Sequence, residues 1–453
     1  MPFKPTNLKG TRDFSPIQMA QRKYMKNIIS RSFGQFGFQP IETPSFERRE
    51  FLEGLYGEEA ETLIFKILNS GHKVHKADIK AFGEGNFSKF ISSISEKALR
   101  YDLTIPLSRY VAQHRNQITF PFRRYQIQPV WRADRPQYGR LQEFVQCDAD
   151  IIGPKSILNE IDMLLLMGMI FNRLGVKKLT AKINHRLVLE ELINSIGAQP
   201  LFDQIVIHLD KIDKIGISQV MTKLSAIGLD KVQLRKIEHF VESPDELANL
   251  SNCSSIVDNA LKELKHIKSQ YEKLTTSIDL KIIIDPQLAR GLNYYTGMVT
   301  EVISDDFDSI GSIAAGGRYD NLTAKFGLSN VSGMGISLGF DRIQLLMEQQ
   351  GIFPKDISQN TQILMLNFGN PYIDLVQVWA QNLRSKGKSV EVYPSQAKLS
   401  KQLTYANNLQ IGTVILYGPD EEKKKEVVVK YMKSRNQVSI GIDELITHIE
   451  SER

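Results

Sequence analysis

Apolar residues recur at helical spacing in several long stretches of the chain and alternate with polar residues in others. The stretch from about Pro16 to Phe36 has an apolar face that includes Ile29 and Phe33, which predicts a helix that ends at Gly37. The next segment, FQPIETPSF, contains two prolines, which favours an extended strand at the edge of a sheet or at a subunit contact.

Two strands joined by a loop are predicted within Tyr125–Gly153. Apolar and polar positions alternate on both sides of a loop at about Asp134–Arg140, which contains proline and glycine. Asp148 and Asp150 lie two residues apart on the returning strand, so their side chains point to one face while Ala149 points to the other.

The loop end of this hairpin carries candidate nucleotide-binding residues. Arg132 precedes the loop and Phe144 follows it, which would place a planar cation and an aromatic ring around a base. Arg135 and Arg140 in the loop would neutralise the phosphates. A charged, solvated hairpin is the alternative that these residues leave open.

The segments before the hairpin give weaker patterns. Strands are predicted at 63–68 and 97–104, with Asp102 and Thr104 on one face of the second strand. Ordinary turn and cap roles for these two residues are the alternative. Residues 71–95 mix glycine, serine and lysine without a firm period, which predicts a mobile loop or a loose hairpin.

Helical periodicity dominates the region after the hairpin. A strongly periodic helix is predicted from Pro154 to Gly175 and a strand at Leu179–Ile183. From His185 to Ser277 the chain is rich in leucine and lysine and poor in glycine, which predicts an inserted helical module. Its lysines are typical of a solvated face, and a nucleic-acid surface is the alternative.

An arginine with two tyrosines follows the next predicted strand. In LARGLNYYTG, Arg290 lies beside a glycine and is followed by Tyr294 and Tyr295. Glycine permits close backbone approach and a guanidinium can donate two parallel hydrogen bonds, so this pattern favours a bound carboxylate or phosphate. A strand end with packed tyrosines is the alternative.

Glycines mark the last part of the first region. Two adjacent glycines are expected to expose backbone beside Arg318, and Gly333, Gly335 and Gly339 are expected to leave an open floor for a flat ligand, with Arg342 at the start of the next helix. Tight packing of strand against helix is the alternative. Neither the Walker loop nor the dinucleotide fingerprint is present.

A polar linker at Pro354–Thr361 predicts a domain boundary. Beyond it, strands alternate with helices, which favours a small α/β domain with a largely parallel sheet. A solvated face and a nucleic-acid surface both explain its excess of lysines, which are Lys398, Lys401, Lys423, Lys424, Lys425, Lys430 and Lys433.

Composition narrows the class of protein. The chain has 453 residues, of which 42% are hydrophobic and 24% charged, as in globular proteins of two or three domains. The apolar run Met163–Phe171 is too short to span a bilayer, and the first ten residues lack the hydrophobic core of a signal peptide, so we expect a cytosolic protein.

Two cysteines exclude a disulfide framework, and no metal-ligand spacing occurs. The net charge of +6 is a mild indication of a polyanionic partner.

Taken together, these segments resemble the class II aminoacyl-tRNA synthetases over nearly the whole chain. KGTRDFSP and the elements after it are similar to the first class II motif, WRADRPQYGRLQEF to the second and SGMGISLGFDRI to the third. LARGLNYYTG and AAGGRYD resemble two stretches peculiar to the histidyl-tRNA synthetase family. That pair makes the resemblance specific to this family.

The resemblance implies an α/β fold with an α+β catalytic core, in which an antiparallel sheet is flanked by helices. A helical insertion and a C-terminal α/β domain like those that bind anticodons complete it. The expected parts are the first part of the core at 1–184, the helical insertion at 185–277, the second part of the core at 278–353, and the C-terminal domain at 361–453.

The implied activity is ligation of L-histidine to tRNA(His), with ATP as substrate and Mg²⁺ as its companion ion. The implied enzyme is a cytoplasmic homodimer without a membrane or DNA partner. A regulatory relative that has kept this core, and a tRNA-binding sensor with a degenerate core, are the alternatives. The intact motifs count against both.

The resemblance also implies a role for individual residues. Arg132 and Arg290 would be catalytic, at the α-phosphate and the histidine carboxylate. Histidine would be bound by Asp102, Thr104, Arg132, Gln146, Asp150, Arg290, Tyr294 and Tyr295. ATP would be bound by Arg132, Asp134, Arg140, Phe144 and Arg342, and the tRNA acceptor end by Arg135 and Gln137. The resemblance does not identify the protein ligands of the metal.

Within this set, Asp150, Tyr294 and Tyr295 would lie along the imidazole ring. A carboxylate and a phenol that hydrogen-bond both sides of a ring discriminate against analogues without those nitrogens by a factor of roughly 10⁴–10⁵.

The chain departs from the commonest family pattern at several places. Asp102-Leu103-Thr104 replaces Glu-Gly-Thr, Ala133-Asp134 replaces His-Glu, Asn293 replaces Asp, and Asp150 replaces Glu.

Overall fold

The structure is a computed structural model that describes most of the chain. The described residues are 3–53, 62–242, 255–275, 279–289, 294–354, 357 and 361–451. The chain divides into two units, the first spanning 1–13 and 25–352 and the second 14–24 and 353–453. Among the described residues, every helix is too short or too polar to cross a lipid bilayer.

Sixteen strands lie in the described parts of the chain. They are β1 (Gln39–Pro40), β2 (Phe46–Arg48), β3 (Lys66–Ile67), β4 (Lys97–Leu99), β5 (Phe122–Trp131), β6 (Glu143–Gly153), β7 (Leu179–His185), β8 (Leu280–Ile284), β9 (Met298–Ser304), β10 (Ala314–Tyr319), β11 (Ser332–Gly339), β12 (Ile363–Met365), β13 (Val390–Val392), β14 (Thr413–Leu416), β15 (Glu426–Tyr431) and β16 (Gln437–Gly441).

The described residues also form seventeen α-helices. They are α1 (Pro16–Gln35), α2 (Arg49–Leu52), α3 (Ile79–Gly83), α4 (Phe87–Ile94), α5 (Thr104–Gln113), α6 (Leu158–Leu174), α7 (Arg186–Ser195), α8 (Phe202–Leu209), α9 (Ile212–Ile215), α10 (Ile217–Ala226), α11 (Lys231–Glu242), α12 (Ser255–Leu274), α13 (Phe340–Gln350), α14 (Tyr372–Ser385), α15 (Leu399–Asn408), α16 (Pro419–Lys424) and α17 (Leu445–Ser451).

Eight strands of the first unit form one sheet, which we call the core sheet. Their order is β1-β5-β6-β11-β10-β9-β7-β8. The five inner pairings are antiparallel, and the two outermost, β1 with β5 and β7 with β8, are parallel. This mostly antiparallel sheet confirms the predicted fold class. The position of β1 confirms that FQPIETPSF begins at a sheet edge.

Helix α6 is tied to the core sheet by a buried ion pair. The apolar side of α6 is fully buried, and Gly175 ends the helix in the left-handed conformation at φ +75°. Arg318 of β10 donates from Nε and Nη2 to the two carboxylate oxygens of Glu160, each at 2.5 Å. Both residues are at most 1% exposed. Arg318 therefore holds a helix against the sheet and is not an exposed ligand-binding residue.

Helices α7 to α12 form a separate cluster of apolar side chains in the first unit. The buried residues of this cluster include Leu189, Ile205, Leu224 and Ile237. They recur at helical spacing on each helix, so each helix contributes one apolar stripe to a shared core. The helical character predicted for this region is confirmed over its described residues.

The second unit has a five-stranded sheet in the order β13-β12-β14-β15-β16. Helices α14 and α17 contribute to one apolar cluster and α15 to another. The prediction of a largely parallel sheet is wrong, because β15 and β16 pair antiparallel after the two parallel pairings of β12. Strand β16 and helix α16 are short elements that the periodicity did not predict.

Residues 71–95 are more ordered than the sequence predicted. They form a 3₁₀ helix at Gly71–Lys76 followed by α3 and α4. The side chains of Asp78 and Asn86 accept hydrogen bonds from Ala81 N at 2.9 Å and Lys89 N at 3.1 Å, respectively. These two N-caps satisfy backbone groups that a short helix cannot pair internally, which stabilises helices that lack a long apolar stripe.

The strands predicted on either side of this segment are shorter in the structure. The predicted strand at 63–68 is reduced to β3, and that at 97–104 to β4. Strand β4 pairs with both β2 and β3, which makes a small three-stranded sheet in the order β2-β4-β3. The second prediction fails because the chain turns into α5 at Thr104.

Candidate active site

Polar side chains form a row across the middle of the core sheet. Strand β6 places Gln146, Asp148 and Asp150 on one face. The register with β11 sets Ser337 opposite Asp148 and Gly335 opposite Asp150. The predicted hairpin of β5 and β6 is confirmed, and its alternation brings the two acids to the same side. All three polar side chains are at most 9% exposed.

Asp150 lies between a cation and a phenol. Arg124 Nη2 of β5 is 2.6 Å from Asp150 Oδ2, and the Tyr319 hydroxyl of β10 donates to Asp150 Oδ1. Among the described residues Oδ2 accepts no aligned hydrogen bond, so the arginine contact is an ion pair with acceptor capacity left over. Burial raises the pKa of Asp150, whereas Arg124 and the Tyr319 hydrogen bond lower it. Burial and the adjacent acid hold the pKa of Tyr319 well above its usual value.

Asp148 is as buried as Asp150, but Arg124 makes its close contact with Asp150. The pKa of Asp148 is raised to about 7: burial is the largest cause and Asp150 also raises it, while Arg124 and a hydrogen bond with Ser337 lower it. Asp148 Oδ1 has no hydrogen-bond partner among the described residues. The same holds for Gln146 Oε1, whose amide nitrogen donates to Ser337 Oγ at 2.9 Å. Two buried acceptors on one strand face therefore have no donor within the described part of the chain.

The glycines of β11 do not leave an open floor for a flat ligand. A Cβ at Gly335 would overlap the carboxylate of Asp150, and one at Gly333 would overlap the ring of Tyr319. The prediction that these glycines form an empty surface is therefore wrong. They make room for Asp150 and Tyr319, which fixes both side chains against the sheet.

Three tyrosine rings lie together next to Asp150. The Tyr294 and Tyr295 ring centroids are 4.7 Å apart, and the Tyr294 and Tyr319 rings meet edge to face at 6.1 Å. A Cβ at Gly317 would overlap the Tyr295 ring, so the glycine pair before Arg318 is buried against this cluster. The expectation that this pair exposes backbone is wrong.

Asp102 and Thr104 lie at the start of α5. Asp102 Oδ1 accepts hydrogen bonds from the backbone N–H groups of Thr104 at 3.1 Å and Ile105 at 3.2 Å. Both residues were predicted on one strand face, but Thr104 opens α5, so that prediction is wrong. Asp102 is 4% exposed and near enough to Asp148 and Asp150 to raise the pKa of both.

Arg132 is held between two aromatic rings. Its Cζ lies 4.3 Å from the Tyr101 ring centroid and 5.3 Å from that of Phe144, and its Nε donates to the Tyr101 carbonyl at 3.1 Å. The backbone of Arg132 is hydrogen-bonded to Gln142 across the start of the hairpin loop. The structure thus brings Arg132 and Phe144 together, as the hairpin predicts.

The hairpin loop has its own internal contacts. Arg140 Nη2 lies 2.6 Å from Asp134 Oδ1, and the backbones of Gln137 and Arg140 exchange hydrogen bonds of 3.1 and 2.9 Å. The Arg140 side chain is 43% exposed, whereas that of Asp134 is 8% exposed. Arg135 and Gln137 lie exposed at the tip of the loop, where a large partner can reach them.

Arg342 is fixed beside the same loop. Its Nε donates to the Gly139 carbonyl at 3.1 Å and its Nη1 to the Ser312 carbonyl at 2.7 Å. The neighbouring Asp341 accepts a hydrogen bond from Val145 N at 2.7 Å. This bond ties the start of α13 to β6 at the residue next to Phe144.

Arg290 and Asn293 lie outside the described residues. The segment just before Arg290 is anchored by Asn184, whose amide donates to the carbonyls of Pro286 at 2.9 Å and Leu288 at 3.0 Å. The chain is described again from Tyr294, beside the tyrosine cluster. The role of Arg290 stays a prediction.

Sequence reasoning missed three residues that complete this region: Arg124, Tyr319 and Ser337. Tyr319 and Ser337 contact their partners across strands that are far apart in the sequence, and pairing order is not visible in a single segment. Arg124 lies opposite Asp150 across the predicted hairpin of β5 and β6. The alternation of Arg124 with the other polar residues of β5 was the one available signal.

Within the described residues, no group of three histidine, cysteine, aspartate or glutamate side chains is placed to hold a metal ion.

Comparison with known proteins places this geometry in a family. The family model described as Histidyl-tRNA synthetase matches residues 88–343, and the model described as Anticodon binding domain matches residues 361–452. The chain is 45% identical over 452 residues to a protein from Christiangramia forsetii named histidine–tRNA ligase, covering 98% of this chain and 99% of that relative.

A second relative of the same name, from Flavobacterium johnsoniae, is 41% identical and covers 98% and 99% of the two chains. Among solved structures, histidyl-tRNA synthetase from Nostoc sp. PCC 7120 has 27% identity and a TM-score of 0.78, with both chains fully covered. The matched residues include all of β5, β6, β10 and β11, which carry the polar row. The chain therefore belongs to the histidyl-tRNA synthetase family.

Proposed function

We propose that the polar row of the core sheet and the arginines beside it carry out the reaction of this family. The chain has histidine–tRNA ligase activity: it activates L-histidine with ATP to histidyl-adenylate and transfers histidine to the 3′ end of its tRNA, with release of AMP and pyrophosphate. The observation that carries the site assignment is the position of Asp150, between Arg124 and Tyr319, on the strand that also bears Phe144.

Histidine is selected, in this proposal, by Asp150 and the tyrosine cluster. Asp150 has acceptor capacity left at Oδ2, which suits an imidazole N–H. Tyr319 fixes the orientation of this carboxylate, and Tyr294 and Tyr295 supply aromatic surface beside it. A buried acceptor that is left unpaired by a smaller or apolar side chain costs binding energy, which is the basis of the selectivity.

ATP occupies the loop end of the hairpin. Phe144 stacks on one side of adenine and Arg342 covers the other, and the Asp341–Val145 hydrogen bond keeps these two elements together. Arg132 is oriented by its bond to the Tyr101 carbonyl and contacts the α-phosphate. Asp134 and Arg140 hold each other, so together they shape the loop around the remaining phosphates.

The first chemical step needs no protein nucleophile. A histidine carboxylate oxygen attacks the α-phosphorus of ATP in line, the bond to the β-phosphate oxygen breaks, and pyrophosphate leaves. Arg132 and Arg290 stabilise the charge that builds on the α-phosphate oxygens. Asp102 and Thr104, with Gln146, hold the substrate's amino group so that the carboxylate faces the phosphorus.

In the second step the terminal adenosine hydroxyl of the tRNA attacks the acyl carbon and AMP leaves. Arg135 and Gln137 meet the acceptor end at the exposed tip of the hairpin loop. The second unit, whose residues 361–452 match an anticodon-binding model, contacts the anticodon of tRNA(His). Its exposed lysines suit a polyanionic partner.

Three further properties complete the proposal. Magnesium enters with ATP, bound mainly by phosphate oxygens, because the described residues offer no three-ligand metal cluster. The edge segment that begins with β1 provides the two-fold contact of a homodimer. The enzyme works in the cytoplasm, where translation takes place.

A regulatory relative is the competing function. One solved structure of this fold, from Bacillus halodurans C, is named an ATP phosphoribosyltransferase regulatory subunit/histidyl-tRNA synthetase; at 20% identity, it shows a likeness of fold alone. The match of residues 361–452 to the anticodon-binding model favours the synthetase, because a regulatory protein has no need to bind an anticodon.

Two variants test the division of labour within the site. Arg132→Ala should lower histidine-dependent ATP–pyrophosphate exchange by about 100-fold or more, since it removes a cation at the reacting phosphate. Arg135→Ala should leave exchange within about twofold and raise the KM for tRNA, because it removes a phosphate contact to the acceptor end alone. Equal losses of exchange in both variants would contradict the assignment.

A further inference from the structure

The turn that follows β8, residues 285–289, is fixed against the core sheet; we call it the β8 turn. Asn184, which is 1% exposed in β7, donates from its amide to the carbonyls of Pro286 at 2.9 Å and Leu288 at 3.0 Å. The backbone N–H of Asp285 donates to a carbonyl of β7 at 2.9 Å. The polar backbone groups of this partly buried turn are thus paired with one strand, which holds the turn in place.

Two adjacent residues of the β8 turn lie in different apolar clusters. Leu288 belongs to the same cluster as Tyr295 and Tyr319, beside the polar row. Its neighbour Ala289 is 2% exposed and belongs to the cluster formed by helices α7 to α12, which we call the helical module. Since packed side chains cannot move independently, the β8 turn joins the tyrosine cluster to the helical module.

A hydrogen bond makes a second link between the β8 turn and the helical module. The amide Nε2 of Gln287 donates to the carbonyl of Val241, in the last turn of α11. The last four carbonyls of a helix have no partner within that helix, so this amide satisfies a group that the helix cannot pair. Gln287 is half-buried and lies outside the polar row. Its side chain therefore connects two elements and is not part of the site itself.

The chain after the tyrosines is also tied to the helical module. The backbone N–H of Arg186, the first residue of α7, donates to the carbonyl of Gly297 at 3.0 Å. In the sequence, Arg290, Tyr294 and Tyr295 all lie between the β8 turn and this glycine. The helical module thus contacts the chain both before and after three residues that the proposed function places at the substrate.

We propose that the helical module positions the histidine site through the β8 turn, and that Gln287 is a positioning residue for histidine. This inference rests on the proposed function and adds to it a residue that does not touch the substrate. The Gln287–Val241 bond fixes the turn against α11, and Leu288 transmits that position to the tyrosine cluster by packing. Arg132 and Arg342 are held by other bonds, so the link serves histidine and not ATP.

Gln287→Met tests the link, because methionine keeps the length of the side chain and removes the amide donor. The KM for histidine in pyrophosphate exchange should rise about tenfold, since displaced binding groups hold the substrate less well. The KM for ATP should stay within about twofold of the wild-type value. Because KM does not depend on the concentration of active enzyme, partial unfolding of the variant cannot produce this difference.

Gln233→Met is the matched control. The Gln233 amide donates to the carbonyl of Ile196 at 2.8 Å, which is the same kind of bond made wholly within the helical module. Its loss should leave both KM values within about twofold of the wild type.

Three results would overturn the inference: an unchanged KM for histidine in Gln287→Met, an equal rise of the KM values for histidine and ATP, or the same rise for histidine in Gln233→Met. The last two would mean a general loosening of the fold. Wild-type exchange with histidine tests the proposed function separately, because it does not depend on either variant.

Discussion

At the scale of single residues, two carboxyl groups two positions apart on β6 have different surroundings. Asp150 has a guanidinium and a phenol beside it, and Asp148 has a serine and an unpartnered oxygen within the described residues. The strand alternation places both on one face, but only the neighbouring strands determine which acid is paired. The same residue type on the same strand face therefore has two different environments.

Asp148 makes stability depend on pH in a defined direction. Because burial raises its pKa from 3.8 to about 7, the folded state binds the proton more tightly than the unfolded state, and this acid lowers stability as the pH rises towards 7. Asp148→Asn cannot ionise. The unfolding free energy of the variant minus that of the wild type should therefore be larger at pH 8 than at pH 5, by roughly 2–3 kcal/mol.

Urea unfolding of both proteins at the two pH values measures this gain. A wild-type-to-variant difference that stays constant between pH 5 and pH 8 would show that Asp148 does not titrate in this range. Asp306→Asn is the control, because Asp306 is 42% exposed and should show no such pH dependence.

Tyr319 is expected to act through Asp150. Tyr319→Phe removes the hydroxyl that orients the carboxylate and, because this hydrogen bond lowers the pKa of Asp150, should raise that pKa further. We expect about a tenfold loss of kcat/KM for histidine in pyrophosphate exchange, with the KM for ATP unchanged. Tyr405→Phe is the matched control, since Tyr405 donates to Glu391 at 2.6 Å in the second unit. An unchanged kcat/KM in Tyr319→Phe would remove Tyr319 from the site.

The site could be predicted in part from the sequence at this scale. Arg132 and Phe144 flank one loop, so their proximity follows from the hairpin alone. Tyr319 reaches Asp150 from β10, which is distant in sequence, and nothing local in that strand indicates the pairing. Arg124 faces Asp150 across the predicted hairpin, where the sequence did not define the exact register. The glycines of β11 were misinterpreted because an absent side chain looks the same in sequence whether the space is empty or filled by Asp150.

At the scale of elements, the contact between β10 and α6 depends on Arg318 and Glu160. Both are buried. Loss of Glu160 leaves Arg318 with the more distant Asp320 at 3.8 Å, and loss of Arg318 leaves a buried carboxylate without its partner. Glu160→Gln should lower the unfolding free energy by about 3–5 kcal/mol. Breaking the exposed Lys178–Asp306 pair should cost well under about 1 kcal/mol.

Urea unfolding at neutral pH compares these two variants. A loss below about 1 kcal/mol in Glu160→Gln would mean that the buried pair does not hold α6 to the core sheet. Combination with Arg318→Met, which removes both charges, should recover part of the loss, because two apolar or neutral groups leave no unpaired ion.

Long elements were predicted well and short ones poorly. Helix α1 and the β5–β6 hairpin have enough residues for their periods to be distinct. Helices α3 and α4 have five and eight residues, too few for a reliable period, and their caps Asp78 and Asn86 were the signal that could have identified them. In the second unit, β16 was missed because its burial pattern is mostly exposed.

At the scale of the whole molecule, the two units are expected to bind different parts of one tRNA. Lys423 and Lys424 are exposed on the second unit at the end of α16. Replacing both by alanine should raise the KM for tRNA in charging and reduce the slope of log affinity against log salt by about 1 to 2. Exchange without tRNA should not change.

Lys386→Ala is the control in the same unit, because Glu450 at 2.7 Å already neutralises that lysine. Nitrocellulose filter binding across a salt series gives the slope for each protein. An unchanged slope in the double variant would indicate that this part of the second unit does not face the tRNA.

The central claim is that one site on the core sheet activates histidine and no other amino acid. ATP–pyrophosphate exchange by the wild-type chain, with each of the twenty amino acids in turn, tests it most directly. The account predicts exchange with histidine alone, since the side chains of other amino acids would leave the buried acceptor of Asp150 unpaired. Exchange with a different amino acid, or with none, would contradict the account.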